Sequence, residues 1–426
     1  MSKLYRSLLA LWLIASTMAV PTPTSTSHQT VANGVRLFST NFVKTVAKET
    51  EGNLICSPLS AHVALSMAAI GSKGETKNQF KNVLHLPESQ TQTLKNYQNL
   101  ISSLNNVENV TLKLANKLFI ANNFEVKPEY KNDIQTHFYS DIQPVDFTQN
   151  QQAADTINNW CKEKTENRID SIIKPDDLDP FTALVLANAV YFKGKWAKEF
   201  DPKNTIDRPF HIDANTEKQV PTMYRKGYYK YLDLPEINAK CIELPYANTQ
   251  ISMVIILPNE IEGLAALTNN LDAVTEACNT RLSQTYEREV KLFLPKFKVE
   301  AKLNLGDTLS DKMGLSEPFS NSANFSGISD RPLKISKVVQ KAFIEVNEEG
   351  SEAAAVTGAV VIPLSLGWQP PEPINVRVDH PFLAIIKYYK PSEDRSGLLS
   401  SLKSSNLSSS RGLYQYFSIF MMKIQL

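Results

Sequence analysis

Six histidines, at 28, 62, 85, 137, 211 and 380, and four cysteines, at 56, 161, 241 and 278, are the side chains of this 426-residue chain best suited to acid–base, nucleophilic or metal chemistry. Their spacing supplies none of it. There is no CxxC and no HExxH, so no thiolate or imidazole ligand set is drawn, and no GxSxG, GxxxxGK(S/T) or GxGxxG places a nucleophile or a phosphate cradle. His62 falls inside a helical pattern and His380 precedes Pro381 on a strand pattern, positions where structural roles are commoner. Cys161 follows Trp160 on a helical pattern and Cys241 lies in the alternating run Ala239 to Leu244, so both read as buried free thiols, with a single disulfide left open. The basic cluster Arg225-Lys226-Gly-Tyr-Tyr-Lys230 reads as a solvated strand face sooner than as a polyanion site. The chain is therefore not read as an enzyme, and no cofactor or metal is expected.

A different chemistry is written in Glu348-Glu-Gly-Ser-Glu-Ala-Ala-Ala-Val-Thr-Gly-Ala-Val-Val-Ile-Pro-Leu364-Ser365. On an extended backbone Ser351, Ala353, Ala355 and Thr357 share one face, and that face is entirely small, so it could slide over a packed core without clashing. Gly350 offers a pivot before it, and prolines at 363, 370, 371 and 373 keep the distal part non-helical. An Ala-rich helix or surface loop satisfies the same composition equally well.

Several elements must position this segment. Apolar residues at Val31, Val35, Phe38 and Phe42 give a helix within His28 to Thr50, and Ser57-Pro58 opens a second helix that Gly71 closes. Further helices fit Glu75 to Leu84, Pro128 to Tyr139 and Gln151 to Thr165. Val110 to Leu114 alternates as a strand, whereas Ala183 to Phe192 is nearly all apolar and reads as a central strand covered on both faces. Ile251 to Pro258, Val290 to Pro295 and Ala342 to Val346 add strands, which makes the class α+β. Asn188 is a polar amide inside the most apolar of these runs, so it is either a satisfied core residue or part of a gating network.

With 45 basic against 44 acidic residues, a net charge of +1 and 42% hydrophobic residues, the chain has a core to bury and no general charge for nucleic acid or an acidic membrane. No repeat and no internal linker interrupts it after Ser27 until the tail, so one large domain is expected. Lys3 and Arg6 before the apolar run Leu8 to Val20 read as a signal peptide over residues 1–19, followed by a Pro/Thr-rich linker at 20–27; the run is short for a membrane anchor. The expectation is secretion, with acceptor triplets for N-glycosylation at Asn109, Asn324 and Asn406.

Five stretches in the same order carry a family resemblance: Asn53-Leu-Ile-Cys-Ser-Pro-Leu-Ser60, Leu184 to Trp196, Asn324-Phe-Ser-Gly-Ile-Ser, Val346-Asn-Glu-Glu-Gly-Ser-Glu-Ala-Ala-Ala and Asp379-His-Pro-Phe382. Together they resemble the serpins over about residues 28–390. The resemblance implies helices packed around three β-sheets, with an exposed reactive-centre loop at about 348–378. It also implies a suicide inhibitor, secreted and monomeric, whose partner is a serine protease. The protease would be acylated by the bait residue and carried along as the loop inserts into the large sheet. Family spacing from Glu348 puts the scissile bond at Leu364-Ser365, which implies a chymotrypsin-like or elastase-like target. The hinge would comprise Glu348, Gly350, Ser351, Ala353, Ala355 and Thr357. Lys296 and Trp196, with Glu348, would form the breach where insertion starts, and Ser57, Ser60, Asn188 and Gln340 the shutter. Gln340 stands where the family commonly has histidine, which removes a titration from that point. The rival reading is a non-inhibitory serpin that carries, stores or is simply cleaved.

The C-terminus departs from the family. No apolar-Gly-apolar last strand is recognisable after Lys390, and residues 391–426 read as a Ser-rich linker and an apolar end outside the domain. That end either replaces the missing strand or is the product of an alternative exon; the abrupt break in composition favours the exon, and with it an inactive isoform.

Overall fold

In the computed structural model residues 30–108, 110–248, 250–350, 371–391 and 414–426 are described. The expected signal peptide and linker, the acceptors Asn109 and Asn406, the hinge residues Ser351, Ala353, Ala355 and Thr357, and the bond Leu364-Ser365 lie outside them.

Six helices precede most of the sheet: α1 (Val31–Glu49), α2 (Pro58–Ile70), α3 (Gly74–Leu84), α4 (Gln90–Asn105), α5 (Pro128–Phe138) and α6 (Asn150–Lys164). Ser57 caps α2 by accepting from the Ser60 amide, and Pro58 takes the first helical position, where no amide is needed. Every residue of α2 is buried, which suits a helix apolar on all sides. α4 was not anticipated, although Ser89 caps it and Leu94, Tyr97, Leu100 and Leu104 bury one face at helical spacing.

A five-stranded sheet holds β10 (Phe297–Asn304), β11 (Lys337–Val346), β4 (Leu184–Gly194), β2 (Val110–Ala121) and β3 (Ile142–Val145), in that order. The apolar run is its central strand, as expected. Val185, Ala187, Ala189 and Tyr191 of β4 pack with Ile157, Trp160 and Cys161 of α6, while Leu184, Leu186, Val190 and Phe192 belong to the main core around α2. Asn188 therefore projects to the α2 face by the period of the strand. β4 and β11 are parallel, the other long pairs antiparallel.

The second sheet runs β1 (Leu54–Cys56), β14 (Tyr414–Ile424), β13 (Phe382–Pro391), β8 (Ile251–Pro258), β7 (Ala239–Pro245), β6 (Glu217–Leu234), β9 (Glu287–Pro295) and β12 (Ile374–Arg377), with β5 (Ile206–His211) also on β6. Three sheets were expected, and the described residues form two. β6 is long enough to pair with β9 along Thr222–Lys230 and with β7 along Lys230–Leu234, so it joins two sheets into one ladder. The sheet whose strand β11 leads into Glu348 is consequently the smaller of the two.

A second correction concerns the tail. Tyr414–Ile424 is not outside the domain: it is β14, seated between β1 and β13 in antiparallel register. Ile419, Phe420, Met421, Met422 and Ile424 are fully buried there, and at about 1.5–3 kcal/mol per buried side chain this is a large share of a domain's net stability. The missing apolar-Gly-apolar signature is explained by Met421-Met422 standing in a strand that needs only apolar residues on its inner faces.

Candidate functional site: a clasped seam between two parallel strands

β11 leads directly into Asn347-Glu-Glu-Gly350, and these residues fold back over the end of β4. The Trp196 amide donates to the Glu349 carbonyl at 3.3 Å and the Phe200 amide to the Glu348 carbonyl at 2.9 Å. The Trp196 indole Nε1 donates to the Asn347 carbonyl at 2.9 Å, and its ring stacks on Tyr246 with centroids 4.5 Å apart. Gly350 has φ +67°, and a Cβ there would lie 2.4 Å from the Trp196 nitrogen and 2.5 Å from the Gly194 oxygen. A side chain is excluded both by space and by the left-handed backbone.

Glu348 is 8% exposed, and its carboxylate meets the Lys296 Nζ at 2.9 and 3.1 Å. Burial by itself would raise the Glu348 carboxyl, but hydrogen bonds, led by that from Lys296, together with the Lys296 charge outweigh it and hold the group below its ordinary range. Glu348, Lys296 and Trp196 thus meet in one clasp at the top of the seam.

Lower down, amides cross the sheet in register. Gln340 of β11 lies opposite Asn188 of β4, which lies opposite Asn116 of β2. Gln340 Nε2 donates to Asn188 Oδ1 at 2.6 Å and to the Ser57 carbonyl at 3.0 Å, while its Oε1 accepts from the Ser57 amide at 2.8 Å. Asn188 Nδ2 donates to Ser60 Oγ and to Asn116 Oδ1, and Ser60 Oγ donates to Asn116 Oδ1 at 3.3 Å. Ser57, Ser60, Asn188 and Gln340 are at most 1% exposed. Asn188 is therefore both a satisfied core residue and a link across the seam. Asn116 is the member that went unread; its signal was a second asparagine in an otherwise alternating strand, and only the pairing register brings it opposite Asn188.

Among the described residues, the remaining chemistry-bearing side chains form no second centre. His62 lies between the Leu84 carbonyl and Tyr97, fully buried, and burial lowers it to about 4. Burial likewise pushes the Cys56 and Cys161 thiols up to about 12, far from a reactive thiolate. In the basic cluster Lys226 pairs with Glu289, Lys230 with Glu243, and Arg225 lies over the Phe200 and Tyr229 rings. Among the described residues no group of acidic, histidine or cysteine side chains could hold a metal ion, and no helix is long and apolar enough to cross a membrane. Asn324 is exposed, its side chain accepting from the Ser326 amide at 3.1 Å.

Residues 33–392 match the family model described as Serpin (serine protease inhibitor). The chain belongs to the serpin family, whose members are inhibitors of proteases and not enzymes. Antichymotrypsin-2 of Bombyx mori is 34% identical over 357 residues, covering 83% of this chain and 94% of that protein. Antitrypsin of Bombyx mori is 35% identical over 352 residues, covering 82% and 89%. Among solved structures, Serpin48 of Tenebrio molitor superimposes with a TM-score of 0.77 at 31% identity, covering 93% of this chain and 98% of that one. Uncleaved ovalbumin also gives 0.77, at 27% identity, with 93% and 100% covered.

Proposed function

We propose that this chain is a secreted inhibitor of chymotrypsin-like or elastase-like serine proteases, acylated at Leu364. The observation that carries the reading is the β4–β11 seam: a long parallel pair flanked on both sides by long antiparallel pairs, clasped at the end where Glu348–Gly350 leave β11. A strand returning from Gly350 between β4 and β11 would run antiparallel to both. One parallel pairing would be exchanged for two antiparallel ones, which are slightly more stable per residue.

The reaction follows from serine-protease chemistry. The protease serine oxygen adds to the Leu364 carbonyl, the Leu364–Ser365 peptide bond breaks, and the Ser365 amine leaves with the proton held by the protease histidine. The acyl-enzyme then moves with the inserting strand, and deacylation loses the aligned donors it depends on. Ser351, Ala353, Ala355 and Thr357 supply the small face that such a strand must turn to the core. A Leu bait suits an apolar specificity pocket, and the similarity to Antichymotrypsin-2 and Antitrypsin of Bombyx mori supports an inhibitory role. The exposure of Asn324 supports glycan attachment at that site in a secreted protein.

The test is incubation of the full chain with chymotrypsin, a denaturing gel, and N-terminal sequencing of the released fragment. A complex that survives denaturation and a new terminus at Ser365 are expected. Cleavage without a complex favours the non-inhibitory alternative, and cleavage elsewhere moves the bait residue.

A further inference from the structure

Val290, Leu292 and Leu294 of β9 are buried, so Lys291 and the half-buried Phe293 take the outer face of that strand. Two arginines from other strands lie over the Phe293 ring: the Arg208 guanidinium of β5 is 4.8 Å from its centroid and the Arg377 guanidinium of β12 is 5.5 Å from it. Tyr224 of β6, opposite Phe293 in register, packs its own ring 4.9 Å away. The backbone fixes this meeting. Arg377 stands beside Phe293 in the parallel β9–β12 ladder, and the His211 amide at the end of β5 donates to the Asp379 carbonyl just past β12 at 2.7 Å.

Both arginines and the ring line one cavity of about 70 Å³, with Val220 and Val378 on its apolar wall and Asp379 as its one acid. That volume is a fraction of an ordinary small-molecule site, so it admits a head group and leaves the rest of a ligand outside. The lining charge is +1 (two arginines less one aspartate). Asp379 is already engaged, its Oδ1 lying 2.8 Å from the His380 Nδ1. Among the described residues neither arginine is in an ion pair, and the Arg208 Nε is buried without a hydrogen-bond partner. Two guanidinium forks are thus held in place by an aromatic ring while their donors lack an acceptor.

We infer that this cavity binds an aryl sulfate ester, its sulfate between Arg208 and Arg377 and its ring on the Phe293–Tyr224 pair. The charge excess selects an anion, and +1 matches a sulfate ester, which carries a single negative charge. One guanidinium fork already satisfies a carboxylate, whereas the three terminal oxygens of a sulfate ester can accept from both forks. The paired rings offer the ester's own ring an aromatic surface to stack on. Lys291, on the same face of β9, adds to the positive approach. Occupation of this site does not depend on the chain trapping a protease.

The test is calorimetry on the intact full-length protein with p-cresyl sulfate, p-cresyl phosphate, p-toluate, p-cresol and inorganic sulfate. One saturable site for p-cresyl sulfate is expected. The carboxylate, the uncharged phenol and the bare ion should each bind roughly tenfold more weakly or worse, and the phosphate, whose second charge meets Asp379, less tightly than the sulfate ester. Arg208→Gln and Arg377→Gln should each weaken p-cresyl sulfate roughly tenfold while keeping the parent melting temperature. N-acetyl-sulfotyrosine amide separates two sources of the ligand: tighter binding than p-cresyl sulfate assigns the site to a sulfated tyrosine of a partner chain, weaker binding to a free aryl sulfate. Absence of saturable binding, equal affinity for p-toluate or inorganic sulfate, tighter binding of the phosphate, or unchanged affinity in both arginine variants would each overturn the site. The comparison of ligands on the unaltered protein needs no variant to fold.

Discussion

The Ser57 hydroxyl donates a 2.6 Å hydrogen bond to the Ile419 carbonyl. One residue thereby caps α2, holds Gln340 at the seam through its backbone, and ties both to the C-terminal strand. The part of the chain least like the family is bonded directly to the amide ladder across the β4–β11 seam.

Removing β14 should therefore do more than shorten the protein. A chain ending at Lys390 exposes the edges of β1 and β13 and leaves Ser57 without its acceptor, and is expected to aggregate on refolding. The milder Phe420→Ala, at a fully buried position packed against Phe192, should fold and lose about 3–5 kcal/mol in denaturant titration. Wild-type stability in Phe420→Ala would mean that β14 does not contribute to the core.

Gln340→Ala should strip partners from the Ser57 amide and carbonyl and from Asn188 together. With about 1–3 kcal/mol for each buried group left unsatisfied, the midpoint of urea unfolding should drop clearly. The ladder contains only amides and hydroxyls, so the loss should be the same at pH 6 and pH 8; a pH-dependent loss would contradict this arrangement.

Gly350→Ala forces a side chain into the Trp196 and Gly194 backbone at positive φ. Strain of about 1–2 kcal/mol from the left-handed backbone alone, with the steric overlap added, should release the clasp. The rate at which a synthetic peptide of residues 351–364 is incorporated should rise, while an unchanged rate would separate the clasp from seam opening.

Glu348 is held below the ordinary carboxylate range. A carboxyl depressed in the folded state contributes stability above its unfolded pKa of 4.5 that is lost as pH falls through the folded value. Glu348→Gln should remove the Glu348 share of the acid dependence below about pH 4.5 and, with Lys296 partly exposed, cost no more than about 1 kcal/mol at neutral pH.

His62 works in the opposite chemical sense. Its Nε2–H donates to the Leu84 carbonyl at 2.9 Å, its Nδ1 lies 2.8 Å from the Tyr97 hydroxyl, and burial disfavours the charged ring. The folded ring is lowered from 6.5 to about 4; the unfolded chain binds the proton first, and stability falls as pH drops from 6.5 toward 4, by about 3 kcal/mol in all. Thermal melts across that window should slope in the parent and flatten in His62→Gln.

Local sequence determined much of this protein. Ser57-Pro58 marks a helix start, the apolar run after Ala183 reads as a covered strand, and the residues after Gly350 share one small face if extended, because caps, periodicity and side-chain volume act over a few neighbours. The tertiary structure decided the rest. Whether Asn188 was inert or part of a gate depended on Gln340 and Asn116 arriving opposite it, and register is a property of strand pairs. Whether Tyr414–Ile424 was an appendage or a core strand depended on the space between β1 and β13. Apolar alternation permits a strand, but only the gap left by the rest of the fold says where it goes.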